Sequence, residues 1–168
     1  MPYIRVLFAP KDDLVAAATK LIESAKKRVL IVSYTAARGE VDKALHKAKV
    51  YGAEVKAVYD YEANCNVRGY FQWKLWATLI RPVGGVVHSK FAVVDDAVMF
   101  GSYNFGENAK AGSDLLSITD EPGMVLRFEV EFDRISSMEQ GPPAIRGEDV
   151  EDIFEEYLER FGTNEFVE

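Results

Sequence analysis

Two spacings of apolar residues alternate over the first sixty residues, and this alternation restricts the fold more than any other feature of the sequence. Short, mainly apolar runs at 4–8, 29–34 and 55–59 have the length of buried strands. Between them, residues 14–25 and 40–51 repeat apolar positions three and four residues apart, which is the spacing of one helix face. The order strand, helix, strand, helix, strand predicts a parallel sheet flanked by helices.

A β-hairpin is predicted further along the chain. Residues 86–94 and 98–103 form two apolar runs, and the Asp-Asp-Ala sequence at 95–97 separates them. This pattern is typical of two antiparallel strands joined by a short turn. With a three-residue turn, Val94 should lie opposite Val98.

An aromatic-rich stretch precedes the hairpin, and two further elements follow it. We predict a helix over 67–80, whose large apolar side chains are Tyr70, Phe71, Trp73, Leu75, Trp76 and Leu79. Such a cluster could stack on nucleic-acid bases, but packing in a core or a dimer interface is the commoner use. The sequence leaves the function of 60–82 open. Residues 115–119 predict a strand, and 122–138 predict a helix with a proline in its first turn.

These elements combine into one α/β domain. We expect a central mixed, mostly parallel sheet flanked by helices on both faces, within residues 1–138. The Gln-Gly-Pro-Pro sequence at 140–143 indicates a linker, and 149–161 predict a helix with one apolar stripe. We therefore expect a folded domain at 1–138, followed by a linker and an acidic C-terminal helix at 139–168.

The net charge of −7 conceals two regions of opposite sign. Residues 1–111 carry 16 Lys and Arg against 11 Asp and Glu, whereas 112–168 carry 4 against 16. A basic body can bind a polyanion on one face. The overall acidity argues against tight non-specific DNA binding, because phosphate contacts dominate that affinity.

No membrane anchor or export signal is predicted. No apolar run approaches the ~20 residues that a membrane-spanning helix needs, and the apolar stretch at 4–8 is too short for a secretory signal. The single cysteine, Cys65, cannot form an internal disulfide. We therefore expect a cytoplasmic protein.

Four polar side chains are expected to converge on the predicted hairpin. Residues two apart on a strand point to the same face, so His88 shares a face with Lys90. The same holds for Ser102 and Asn104. The expected turn would place Lys90 opposite Ser102 and close to it in space. His88 would then lie opposite Asn104.

This set of side chains suits phosphodiester chemistry. A neutral imidazole can attack phosphorus and form a covalent intermediate. An ammonium, an amide and a hydroxyl can stabilise charge on the non-bridging oxygens. No Asp, Glu or His cluster with metal-ligand spacing lies nearby in the sequence. We therefore expect no metal and no other cofactor, with Lys90 supplying the positive charge.

These residues resemble the phospholipase D superfamily, whose signature is His-x-Lys-x4-Asp followed by Gly-Ser-x-Asn. The signature stands here as His88, Lys90, Asp95, Gly101, Ser102 and Asn104. The resemblance is close over 86–118 and is greatest to the single-motif branch that includes bacterial endonucleases and the mitochondrial cardiolipin hydrolase. Members cleave phosphodiesters without metal through a phosphohistidine. Chains with one motif form homodimers, so that one His acts as nucleophile and the other protonates the leaving oxygen.

The resemblance also implies roles for the remaining motif residues. The four polar residues above take catalytic positions in a phospholipase D-like catalytic domain, whereas Asp95 and Gly101 are structural. We expect Asp95 to fix the turn through side-chain hydrogen bonds. One residue fewer than is usual in the family separates Asp95 from Gly101. A Glu that often follows the motif is replaced, one place earlier, by Asp114, which we expect to orient the imidazole.

For the substrate we favour nucleic acid, single-stranded or duplex, cleaved by an endonuclease. Arg68, Lys74 and Arg81 could line a phosphate groove, and exposed solubilising charge is an equal alternative for them. A phospholipid substrate is the first alternative, because the same chemistry serves both. The second alternative is a nucleic-acid-binding module with little turnover.

Overall fold

A seven-stranded sheet forms the centre of the molecule. The computed structural model describes residues 2–64, 77–82, 85–106, 109 and 112–138. The strands are β1 (Ile4–Phe8), β2 (Arg28–Ser33), β3 (Glu54–Asp60), β4 (Ala77–Ile80), β5 (Phe91–Val94), β6 (Ala97–Gly101) and β7 (Leu115–Thr119). The helices are α1 (Leu14–Glu23), α2 (Glu40–Val50), α3 (Tyr61–Asn64) and α4 (Pro122–Ser136).

Side chains just before α1 and α4 fix where these helices begin. The Asp13 carboxylate accepts a hydrogen bond from the amide of Ala16, 2.9 Å away. The Glu121 carboxylate accepts bonds from the amides of Gly123 and Met124 at the start of α4. Both carboxylates satisfy N–H groups that have no partner within the helix, and both complement the positive end of its dipole.

The strand order is β1-β7-β6-β5-β2-β3-β4, and the sheet is mixed. The β2–β3 and β3–β4 pairs are parallel. The other four neighbouring pairs are antiparallel. The pairings thus correct one part of the prediction, because antiparallel pairs outnumber parallel ones among the described strands. Five of the seven strands nevertheless point in the same direction, which is what the early alternation of strands and helices had indicated.

The predicted helices on both faces are confirmed. On one face, α1 and α2 pack on the sheet through residues such as Leu14, Ile22 and Leu45, which have at most 1% of their surface exposed. On the other face, α4 packs through Val125, Phe132 and Ile135. The sheet therefore separates two hydrophobic layers, and burial of apolar area in both stabilises the α/β arrangement.

The hairpin has a shorter turn than predicted. Val94 pairs with Ala97, not with Val98, so only Asp95 and Asp96 form the turn. Asp95 has a φ of +50°, in the left-handed region that two-residue hairpin turns require and that Asp tolerates. The expected register is therefore wrong by one residue. The first strand of the hairpin also begins later than expected, at Phe91.

The helix predicted over 67–80 is wrong at its C-terminal end. Ala77–Ile80 forms β4, which pairs in parallel with Ala57–Asp60 of β3. A short apolar run fits the period of a helix or of a strand, and here pairing with β3 makes it a strand.

Residues 67–76 lie outside the described part of the chain, as do Cys65, the linker at 140–143 and the helix predicted at 149–161. The domain boundary at 138 stays a prediction. Of the described helices, none combines the length and apolar content needed to cross a membrane.

Candidate active site

The expected catalytic side chains lie at one edge of the sheet. At this edge β2, β3 and β4 end and β5 and β7 begin, because β5 and β7 run antiparallel to their neighbours. His88 and Lys90 lie in the segment that enters β5, and Ser102 and Asn104 follow β6. Asp114 directly precedes β7. The strand order thus brings five residues from three chain segments to the same edge.

Lys90 has little contact with solvent, since 9% of its surface is exposed. Its Nζ donates a hydrogen bond to the backbone oxygen of His88 at 2.6 Å and lies 5.8 Å from the ring centroid of Tyr34. Burial lowers the pKa of the Lys90 ammonium, and the negative charge of Asp114 opposes this shift. The result is a desolvated cation held beside the His88 backbone.

The His88 side chain, in contrast, is exposed. Its ring packs against the ring of Tyr34, with the centroids 5.2 Å apart and the planes inclined by 58°. No hydrogen bond holds the imidazole within the described residues. The exposed imidazole is accessible to a phosphate group that arrives from solvent.

Ser102 and Asp114 are bonded to each other. The Ser102 hydroxyl donates to Oδ1 of Asp114 at 2.9 Å and accepts from the amide of Leu115 at 2.9 Å. Among the described contacts, Asp114 therefore holds Ser102 and not the His88 imidazole that we expected it to orient. Its charge still acts on Lys90.

Asn104 is half-buried, and the oxygen of its side-chain amide is fully buried. Its backbone oxygen accepts a hydrogen bond from Oγ of Ser33 at 3.2 Å, which ties the segment after β6 to the end of β2. Its side-chain Oδ1 is buried and accepts no hydrogen bond from the described residues. A buried acceptor without a partner is costly, so its presence at this edge calls for an explanation.

The changed hairpin register alters how these groups meet. The amide of Gly101 donates to the oxygen of Lys90 at 3.2 Å, so Lys90 lies opposite Gly101 and not opposite Ser102. The ladder ends at Gly101, where the chain bends, and the amide of Ser102 donates a hydrogen bond to the oxygen of Leu115 in β7. The predicted facing of His88 and Asn104 within the ladder is therefore wrong. The sheet edge, and not the hairpin face, brings the segments together.

The contacts around Gly101 and Asp95 indicate that both residues have structural roles. A Cβ on Gly101 would overlap the carbonyl oxygen of Leu115, so β6 and β7 can approach only with glycine there. The Asp95 carboxylate accepts hydrogen bonds from the amides of Lys26, Lys27 and Arg28 at 2.7–2.9 Å. These bonds join the turn to the start of β2. Burial opposes ionisation of Asp95, but the amide bonds outweigh it and lower its pKa.

Two buried polar residues that the sequence analysis did not identify hold the segments at this edge of the sheet through hydrogen bonds. Asp60 and Asn64 are each 1% exposed. Asp60 accepts from the amide of Val87 at 2.7 Å. Asn64 accepts from the amide of Ala36 at 2.9 Å and donates to the oxygen of Tyr34 at 2.8 Å. A polar residue directly after a buried strand was the available signal for Asp60.

Of the three residues expected to bind substrate, the structure describes one, Arg81. Arg81 follows β4 and forms an ion pair with Glu62, and its guanidinium lies 4.5 Å from the ring centroid of Tyr61. It lies at the same sheet edge but is occupied by these contacts. Arg68 and Lys74 fall outside the described residues. In the described part, no three His, Cys, Asp or Glu side chains converge as metal ligands would.

Comparison with known proteins identifies the family of the chain. The family model described as "Cardiolipin synthase, PLD-like domain" matches residues 18–136. No curated protein sequence matches the chain. Fold and family together define an enzyme of the phosphodiesterase class. The chain belongs to the phospholipase D superfamily, and the resemblance seen in the motif residues is confirmed.

Solved structures show the same fold. Nuc, a phospholipase D family member from Salmonella typhimurium, is 22% identical with a TM-score of 0.74, and the match covers 84% of this chain and 99% of Nuc. NucT from Helicobacter pylori is 23% identical with a TM-score of 0.76, over 84% of this chain and 100% of NucT. The archaeal chromatin protein TrmBL2, described with a novel mode of DNA binding, is 13% identical with a TM-score of 0.58, over 83% and 55% of the two chains.

Proposed function

We propose that the chain is a metal-independent endonuclease that cleaves DNA or RNA through a phosphohistidine, in a site shared by two copies of the chain. One observation carries the proposal: the exposed His88 imidazole and the buried Lys90 ammonium lie on the same Tyr34 ring, and the ammonium bonds the backbone oxygen of His88. The imidazole supplies a nucleophile, and the ammonium supplies a fixed positive charge for the phosphoryl oxygens. The Asn104 amide at the same edge adds a polar group for these oxygens.

The reaction proceeds in two displacements. A neutral His88 nitrogen attacks phosphorus, and the bond from phosphorus to the leaving oxygen breaks. That oxygen takes a proton from His88 of the partner subunit, which acts as general acid. Water then attacks the phosphohistidine, gives its proton to the same partner imidazole and releases a phosphomonoester. Both imidazoles regain their starting protonation, and no redox change or metal is needed.

The histidine content of the chain explains why two copies are required. The chain has two histidines. His46 lies on the exposed face of α2, whose buried positions are Val41, Ala44, Leu45 and Ala48. It therefore cannot serve the sheet edge as the second imidazole. A second His88, brought in by a two-fold symmetric dimer, supplies the general acid that one chain lacks.

Nucleic acid is the substrate that the charge distribution favours. The body of the chain, 1–111, is basic, and the acidic residues concentrate after it. A protein of the same fold is described as binding DNA. The matching family model is named for cardiolipin synthase, which keeps a phospholipid substrate as the alternative. A low-activity nucleic-acid-binding module is the second alternative. The assignment of catalysis to 1–138 and the cytoplasmic location are part of the proposal.

The test is hydrolysis in the presence of EDTA. The substrates are single-stranded DNA, duplex DNA, RNA, cardiolipin vesicles and bis-p-nitrophenyl phosphate. We expect cleavage of nucleic acid and of the small diester, with loss of both in His88→Ala. The matched control is His46→Ala, which removes the other histidine and should leave turnover unchanged. Cleavage of vesicles without cleavage of nucleic acid would establish the lipid alternative. Binding of DNA without any hydrolysis would establish the binding module.

A further inference from the structure

Tyr34 contacts both members of the His-x-Lys pair. It directly follows β2 and is half-buried. Its ring packs against the His88 ring at 5.2 Å between centroids, and the Lys90 Nζ lies 5.8 Å from the same ring. One aromatic side chain from the end of β2 therefore lies against the proposed nucleophile and near the proposed cation.

The backbone on both sides of this contact is held by one buried polar pair. Asn64 donates to the oxygen of Tyr34 at 2.8 Å and to the oxygen of Asp60 at 2.7 Å. Asp60 in turn accepts from the amide of Val87 at 2.7 Å, one residue before His88. Each of the two polar side chains is 1% exposed, so water cannot replace these bonds without a cost. Asp60 at the end of β3 and Asn64 at the end of α3 thus link the Tyr34 segment to the His88 segment.

We propose that Tyr34 is a positioning residue for His88 and Lys90, and that Asp60 and Asn64 hold it in register with them. This inference rests on the proposed function, in which His88 is the nucleophile. Within the described residues the imidazole has ring packing and no hydrogen bond to orient it. Asp114, the carboxylate expected to do so, bonds Ser102 instead. The Tyr34 ring therefore limits the directions that the imidazole can take and covers the Lys90 ammonium from solvent.

The first experiment separates the aromatic ring from its hydroxyl. Tyr34→Leu keeps an apolar side chain but removes the ring, whereas Tyr34→Phe keeps the ring. We expect Tyr34→Leu to lower kcat roughly 10- to 100-fold on bis-p-nitrophenyl phosphate, because a misplaced nucleophile costs rate and not binding. KM should change little. Tyr34→Phe should restore kcat to near the wild-type value. Equal kcat in all three proteins would overturn the inference.

A second readout does not depend on turnover. The ring contact should give the imidazole proton resonances of His88 a ring-current shift from Tyr34, and His46 on α2 is an internal reference in the same spectrum. We expect Tyr34→Leu to move the His88 resonances and leave those of His46 in place. If His88 stays in place as well, the ring contact is absent in solution and the positioning role fails. This holds even for a protein without hydrolytic activity, so failure of the proposed function is distinguished from failure of this inference.

The third experiment tests the buried pair. Asp60→Asn keeps one acceptor for the two amides that Asp60 now bonds. It should fold, shift the His88 resonances and lower kcat. The matched control is Asp120→Asn, whose carboxylate accepts from the amide of Tyr3 at the opposite end of the sheet. It should leave both readouts unchanged. A normal His88 spectrum and normal kcat in Asp60→Asn would contradict the role given to Asp60.

Discussion

Lys90 has two opposing influences on its protonation, and both predict measurable pH behaviour. Burial lowers its pKa, and the Asp114 charge raises it. If the ammonium is needed for catalysis, activity falls on the alkaline side at a lower pH than for an ordinary lysine. Asp114→Asn removes the stabilising charge, so the pKa of Lys90 falls and the alkaline limb moves to still lower pH. The measurement is the pH profile of kcat/KM for hydrolysis of the small diester.

A distant carboxylate provides the control for that prediction. Asp120 lies at the far end of β7, where it bonds the amide of Tyr3. Asp120→Asn should leave the alkaline limb in place. An alkaline limb that moves upward in Asp114→Asn would show that a group other than Lys90 controls it.

Asp95 is expected to contribute to stability and not to catalysis. Its carboxylate accepts three amide hydrogen bonds from Lys26, Lys27 and Arg28. Removing it in Asp95→Ala leaves these donors without their acceptor, which costs about 1–3 kcal/mol. Urea unfolding at neutral pH measures the loss. The adjacent Asp96→Ala is the control, because its side chain is 87% exposed and its ion pair with Lys27 contributes little.

The pH dependence of this effect has a defined sign. The pKa of Asp95 is lowered in the folded protein. Its stabilisation is therefore fully present above the unfolded pKa and is lost as pH falls through the folded value. The stability difference between wild type and Asp95→Ala should narrow on acidification. A difference that grows on acidification would mean that the carboxylate is not held by these amides.

At the scale of elements, the contact between β6 and β7 depends on one glycine. A Cβ at Gly101 would overlap the Leu115 carbonyl oxygen, which belongs to backbone and cannot rotate away. Gly101→Ala should destabilise the fold by about 1–3 kcal/mol or more and shift Ser102 away from Asp114. Thermal unfolding and kcat both report on it. Gly106→Ala is the matched control, since a Cβ there meets no atom within 4 Å. An unchanged Tm in Gly101→Ala would show that the strands can separate freely.

The individual elements were largely predictable from the sequence, whereas their pairing was not. Apolar periodicity is local, and it indicated α1, β2, α2, β3, β7 and α4 at nearly their observed positions. The hairpin register depended on whether the turn has two residues or three. The side-chain bonds of Asp95 to residues more than sixty positions earlier favour the shorter turn, and no local pattern contains them.

In the candidate site, likewise, the residue types were predictable from the sequence, whereas their contacts were not. The motif residues His88, Lys90, Ser102 and Asn104 were identified because their types and spacing are written in one short segment. The packing of Tyr34 on His88 joins the segment after β2 to the segment before β5, and a tyrosine after an apolar run has no distinctive signal. For Asp114, the sequence predicted a position near the site but not the hydrogen-bond partner, which is Ser102 and not His88.

At the scale of the whole molecule, a shared site predicts a particular dependence on subunit composition. A mixture of wild-type and His88→Ala subunits, unfolded together and refolded, forms dimers at random. Only dimers of two wild-type subunits have both imidazoles. At equal amounts, about a quarter of the dimers are active, so activity follows the square of the wild-type fraction. The measurement is hydrolysis of the small diester across a series of mixing ratios.

The same mixing with His46→Ala subunits is the control and should leave activity constant at every ratio. Activity that falls in direct proportion to the wild-type fraction in the His88→Ala series would mean that each chain works alone. Sedimentation of the wild type gives the oligomeric state independently. Monomers with full activity would remove the need for a second His88.

The pairing of β1 with β7 has a consequence for biosynthesis. Ile4 pairs with Thr119, so β1 is synthesised more than a hundred residues before its partner β7, the last of the described strands. Until then β1 has no strand partner on either side, because β7 is its one neighbour among the described strands. By that point β2, β3 and α2 already hold contacts close in sequence. Such distant pairing slows folding and exposes the unpaired edge to other chains. The sheet is therefore completed only after translation has passed residue 119.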